Sequence, residues 1–94
     1  MNLEAGLKVV WERTADDWFV VRYSDGSRWL FDDDAQTLEL LGTVSDGLAE
    51  AEILETDNGA IIALYSDGPQ AFADREAWIE SLSEIDKKEA ARIL

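Results

Sequence analysis

Apolar and polar positions alternate at the start of the chain. Leu7, Val9 and Trp11 interleave with Lys8, Val10 and Glu12, and this period of two predicts a strand. Thr14 to Asp17 is polar and turn-like. WFVVRY, from Trp18 to Tyr23, follows as a run of β-branched and aromatic side chains of strand length. Asp25-Gly26 separates it from a second short apolar run, Arg28 to Phe31. Asp-Gly between two such runs predicts a hairpin, because glycine takes positive φ at no steric cost. Asp32, Asp33 and Asp34 come next and read as a strand end and helix N-cap. AQTLELLG after them reads as a short helix or turn that stops at Gly42.

The second half repeats this plan. Glu50 to Thr56 predicts a strand, Asn58-Gly59 a two-residue hairpin turn, and Ala60 to Tyr65 a strand matching Trp18 to Tyr23. Asp67-Gly68 turns the chain again, and Pro69 at the start of the next strand, Gln70 to Ala73, predicts an edge position. The tetrapeptide YSDG stands at both Tyr23–Gly26 and Tyr65–Gly68. At the same offset Thr14 matches Thr56, Asp32 matches Asp74, Ala35 matches Ala77 and Leu40 matches Leu82. The pattern suggests a β-β-β-α unit used twice, over residues 8–42 and 50–84, with YSDG as hairpin chemistry rather than a site.

The last element is helical. Asp74 is a good N-cap, and Glu76 suits the positive end of the helix dipole. Trp78, Leu82 and Ile85 share one face with Ile79 at its margin. Ser83 to Asp86 can cap a second short helix, and periodicity does not choose between one helix and two. The expected fold is one α+β domain spanning residues 1–94, mostly antiparallel sheet, with the C-terminal helix packed on one face. Trp78 and Leu82 are expected to be buried against sheet residues drawn from Val9, Trp11, Val20 and Ile62.

Composition narrows the function. A 94-residue chain that is 47% hydrophobic has enough apolar side chains for one core but little chain to spare for a deep cleft. It has no Cys and no His, which removes thiol catalysis, Ser-His triads and the usual zinc ligand sets. DDDAQTLELLG lacks the alternating ligands and the distal bidentate acid of a calcium loop. No glycine-rich loop precedes a helix, so nothing cradles a phosphate. The expectation is a non-enzymatic protein with no cofactor and no metal. MNLEAGLKVVWERT has an acid at Glu4 and no apolar run, so no signal peptide is expected, and cytoplasmic residence is the default.

Charge changes the picture most. The chain carries 21 Asp and Glu against 8 Lys and Arg, a net of −13. Such a domain repels nucleic acid and anionic membrane and attracts basic surfaces. The four Trp could serve as stacking platforms, but there is no basic funnel for a strand, and core packing accounts for most of them. Residues 35–86 hold 12 acids and one base, Arg75. Glu76, Glu80 and Glu84 form an i, i+4, i+8 row, about 6 Å apart along a helix and unmixed with bases. These three, with Glu50, Glu52, Glu55 and Asp57, are the candidate partner-binding residues.

In size and charge the chain resembles the small nucleic-acid-mimicking inhibitors of nucleases and defence complexes, including anti-CRISPR and antirestriction proteins. No motif carries that resemblance, and no residue is transferred from it. It implies a basic protein partner, such as a groove built for nucleic acid, and no direct contact with nucleic acid or membrane. Two other readings stand beside it. The chain could be a salt-adapted domain from a halophile, which the three lysines favour, or a small structural or regulatory subunit whose charge is incidental.

Overall fold

The alternating patterns become an uninterrupted series of antiparallel hairpins. In this computed structural model residues 7–46 and 49–94 are described; the MNLEAG stretch, with Glu4, lies outside them. The strands are β1 (Val9–Ala15), β2 (Trp18–Tyr23), β3 (Arg28–Phe31), β4 (Ala35–Asp46), β5 (Ala49–Thr56), β6 (Ile61–Tyr65) and β7 (Gly68–Phe72). They form one seven-stranded sheet in sequence order. Two short helices follow, α1 (Arg75–Glu80) and α2 (Glu84–Ala90). The sheet curls until β1 touches β7, and the Arg13 guanidinium donates across that seam to the Tyr65 carbonyl at 2.7 Å. The domain is mostly β, with a helical C-terminus. No helix among the described residues is long and apolar enough to cross a membrane.

The two YSDG copies do lie at hairpins, yet they make different turns. Tyr23 to Ser27 closes with the Tyr23 N–H donating to Ser27 O at 3.0 Å, and Gly26 sits at φ 90°. Asp25 caps this loop by accepting from both the Ser27 N–H and hydroxyl, which lowers its pKa. At the second copy only Ser66 and Asp67 are in the turn. Gly68, at φ 132°, already pairs with Tyr65 as the first residue of β7. Pro69 lies on that terminal strand, as its missing N–H requires.

Three expectations fail, each for a physical reason. Residues 35–42 are not a helix or turn but the first part of β4, a 12-residue strand. Asp32 accepts from the Asp34 N–H at 2.9 Å, a side-chain turn that reverses the chain into a hairpin instead of capping a helix. Pairing with β3 on one side and β5 on the other then outweighs the helical leaning of AQTLELL. The first of the two similar units therefore has a strand where the second has α1.

The core is also divided differently. One cluster lies on the concave face and holds Val20, Leu30, Leu38, Leu54, Ile62 and Leu64, with Trp11 and Trp18 against it. A second lies on the outer face, beneath the helices, and holds Trp78, Ala90, Val44, Ala51, Ile53, Ile61 and Ala63. Trp78 is fully buried, as expected, whereas Leu82 is only half-buried beside it. Their neighbours are not Val20, Ile62 and Trp11, which face the other way, and Val9 is exposed. β6 reads Ile-Ile-Ala-Leu and is buried on both faces, so its sequence has no parity to indicate which face meets the helix.

Finally, Ile85 does not share the face of Trp78 and Leu82, because the C-terminal segment, which the sequence left open as one helix or two, is two helices. Asp74 caps α1 by accepting from the Ala77 N–H, and Ser83 caps α2 by accepting from the Asp86 N–H. The break rotates Ile85 away from the core, where it is 79% exposed. The second half of β4 extends past β3 and receives α2. Glu89 accepts from the Ser45 N–H at 2.7 Å, and Ile93 lies directly over Gly42.

Candidate functional site

A meander places successive turns at alternate ends of its sheet. One end carries the β1–β2, β3–β4 and β5–β6 turns together with the loop from β7 into α1. These segments contain Asp16 and Asp17, then Asp32, Asp33 and Asp34, then Asp57, then Asp74, and no Lys or Arg. All seven aspartates are exposed. Each suits its turn locally, since a short carboxylate can accept a nearby backbone N–H. Residues scattered over 58 positions of sequence thus share one rim. An open depression of about 210 Å³ lies within this end, lined by Trp18, Leu30, Asp32, Asn58 and Ala71 among others. Among the described residues no group of three acids converges as a metal-holding set.

The bases lie elsewhere. Lys8, Arg22 and Arg28 lie near the β2–β3 turn, at the opposite end. Arg22 stacks on Trp11 at 5.5 Å, and Arg28 pairs with Glu52 at 3.4 Å. Lys87, Lys88 and Arg92 belong to α2 and the turn after it. Two bases fall outside these groups: Arg13 of β1, which donates to the Tyr65 carbonyl, and Arg75, one residue beyond Asp74. Glu55 holds Arg75 with two contacts, Nε to Oε2 at 2.7 Å and Nη2 to Oε1 at 3.1 Å. The hydrogen bond to Arg75 lowers the Glu55 pKa despite some desolvation, and the Arg75 pKa is raised in turn. The turns of one end therefore carry seven aspartates and no base, whereas the opposite end mixes Lys8, Arg22 and Arg28 with the exposed Asp25 and Asp67.

The sequence-predicted residues fall into three groups. Glu76 and Glu80 are exposed on α1, and Asp57 is exposed on the aspartate-lined end. Glu84 is exposed too, but it lies in the first turn of α2 and pairs with Lys87 at 3.7 Å, so the i, i+8 row does not persist through the break. Glu52 and Glu55 are half-buried and engaged with Arg28 and Arg75. Glu50 shares with Glu52, Trp11 and Arg13 an open depression of about 300 Å³. Sequence reasoning treated Asp16, Asp17, Asp32, Asp33, Asp34 and Asp74 as turn and cap chemistry only. Counting which turns share an end of a meander would have found them.

A further group was read simply as strand. Phe19, Trp29 and Phe31 lie on the outer face of β2 and β3, with Phe19 and Phe31 centroids 5.2 Å apart and Trp29 stacked 6.5 Å from Phe31. Val21, Tyr23 and Leu7 complete this cluster, and none of its members comes from a helix. The chain matches no protein-family model, no curated protein and no solved structure.

Proposed function

We propose that this chain is a small, non-enzymatic interaction protein that binds a basic surface of a partner protein. In this reading it inhibits that partner by occupying a groove built for nucleic acid, as anti-CRISPR and antirestriction proteins do. The observation that supports the reading most is the aspartate-lined end. Four segments of one rim carry seven carboxylates and no base, while most of the bases are held at the other end or on α2. A duplex presents about one phosphate charge per 1.7 Å of axis, and carboxylates can offer a basic groove a comparable density. Such a surface draws its partner by long-range attraction, so association is fast and salt-sensitive. Glu76 and Glu80 extend the anionic surface onto α1; Glu52 and Glu55 contribute less, because their charge is already matched.

The test is affinity purification of the tagged protein from its source cell or host at low and high salt. The retained protein is then challenged with duplex DNA or RNA. The expected result is a basic nucleic-acid-binding protein that elutes with salt and is displaced by the duplex. The variant Asp16→Asn, Asp17→Asn, Asp33→Asn, Asp34→Asn spares the capping carboxylates Asp32 and Asp74, and it should slow association and flatten the salt dependence. Retention of no basic protein, with folding only in molar salt, would replace this reading by halophilic adaptation.

A further inference from the structure

The concave face of the curled sheet opens at both ends, and the chain fills one of these mouths itself. Towards the β2–β3 turn that face carries Arg22, Arg28 and Glu52, which lie two residues from Val20, Leu30 and Leu54 of the concave cluster. Arg22 stacks on Trp11 at 5.5 Å, and Arg28 pairs with Glu52 at 3.4 Å. One guanidinium on an indole and another on a carboxylate thus complete this mouth. The mouth at the aspartate-lined end is completed differently. There β2 supplies Trp18, β3 Leu30, β4 Gln36, β5 Thr56, β6 Ile62 and β7 Ala71, and these line the open depression of about 210 Å³. It again has a half-buried tryptophan and a carboxylate, Asp32, but no Lys or Arg among the described residues lines it. The mouth of a curled sheet is a favoured place for a ligand.

The lining indicates the occupant. Thr56 and Asn58 serve the β5–β6 turn, since the Thr56 hydroxyl donates to Asn58 Oδ1 and accepts from the Ala60 N–H at 3.0 Å. Asp32 accepts from the Asp34 N–H through Oδ1, which leaves Oδ2 for another donor. Gln36 adds an amide from β4. Acceptors beside an indole, within a rim of aspartates, complement a planar cation with several N–H donors. The volume falls below the roughly 300–1,000 Å³ of a drug-sized ligand's pocket, so it suits one side chain and not a whole helix or strand. A lysine ammonium would satisfy the charge, but it neither stacks flat on an indole nor presents a fork of donors. We infer that the Trp18 mouth is an anchor pocket for one arginine side chain of the basic partner protein. Its guanidinium lies against Trp18 and donates to Asp32 Oδ2, repeating what Arg22 and Arg28 do at the opposite mouth. The aspartate rim steers the partner, and the pocket holds it.

This inference rests on the proposed function and names its central contact. It is tested with the N-acetyl amides of arginine, lysine and citrulline, the last an uncharged near-isostere of arginine, and with tetra-arginine. Binding at low salt is followed by amide and indole chemical shifts on isotope-labelled protein. The arginine amide should bind saturably, with Kd on the order of 1 mM, and move the Trp18 indole and the amides of Gln36 and Ala71. It should bind roughly ten-fold more tightly than citrulline and several-fold more tightly than lysine. Ala71→Arg, at an exposed position of β7, places a guanidinium at the mouth within the chain and keeps every core side chain. It should melt like the wild type and lose the saturable shifts. Citrulline binding as tightly as arginine overturns the inference, as does a folded Ala71→Arg variant that binds arginine as well as the wild type. Equal shifts from arginine and lysine, confined to the aspartate turns, overturn the pocket and leave the proposed function standing. No shift from any probe, tetra-arginine included, overturns both readings.

Discussion

Truncating Trp78 tests the central packing claim, that the helices cover the outer face of the sheet and not its concave one. Trp78 is fully buried among Val44, Ala51, Ile53, Ile61 and Ala63, and its indole N–H donates to the Tyr65 hydroxyl at 2.9 Å. A tryptophan buries up to roughly 250 Å², worth about 6 kcal/mol as an upper bound. Measured truncations of large aromatics cost about 3–5 kcal/mol, because the site partly collapses. A chain of this length is stable by roughly 5–14 kcal/mol in total. Trp78→Ala should therefore remove a large part of the stability and lower the urea midpoint at nearly constant slope, as read by far-UV circular dichroism. A loss below about 1 kcal/mol would refute the burial. The face is resolved with a milder change, Trp78→Leu, combined with Ile53→Val or Ile62→Val. Ile53 shares the Trp78 cluster, and Ile62 faces the other way. Coupling should reach about 0.5 kcal/mol with Ile53 and stay within about 0.3 kcal/mol with Ile62. The reverse outcome would put the helix on the concave face and sink the argument.

Other consequences are more local. A Cβ at Gly42 would lie 2.6 Å from Ile93 Cγ2 and 2.9 Å from Ile93 Cβ, so Gly42→Ala should lift the C-terminal turn and cost about 1–3 kcal/mol. Adding Ile93→Ala removes the clash, and the double variant should lose less than the sum of the two single changes in chemical denaturation. The Glu55–Arg75 pair sets an acid limit. Because the folded pKa of Glu55 is lowered, its contribution is complete above the ordinary carboxylate range and disappears as pH falls through the lowered value. In an acid titration of stability, Glu55→Gln should flatten that fall and leave a smaller difference from wild type at the acid end. Tyr23 behaves oppositely, since burial and the nearby Glu12 raise its pKa; its contribution is present at neutral pH and lost under alkaline conditions. Tyr23→Phe should accordingly unfold at a higher pH than wild type. The change Glu76→Gln, Glu80→Gln, Glu84→Gln should leave melting nearly unaltered, within about 0.5 kcal/mol. Relief of the Glu76–Glu80 repulsion on α1 is offset by loss of the Glu84–Lys87 contact at the start of α2.

Local chemistry in the sequence determined where strands end and helices begin. Asp25-Gly26, Asn58-Gly59 and Asp67-Gly68 mark turns because only glycine takes their positive φ without strain, and Asp74 and Ser83 cap helices because their side chains can reach a free N–H. The terminal position of Pro69 and the burial of Trp78 were legible for equally local reasons. Whatever depends on a partner distant in sequence was not legible. AQTLELL became a strand because β3 and β5 flank it. Trp78 chose the outer face of a strand whose two faces are equally apolar. Glu55 found Arg75 across twenty positions. The acidity could be counted from the sequence, but its direction could not. Only the alternation of hairpin turns between the two ends of a curled sheet gathers Asp16, Asp33, Asp57 and Asp74 onto one rim.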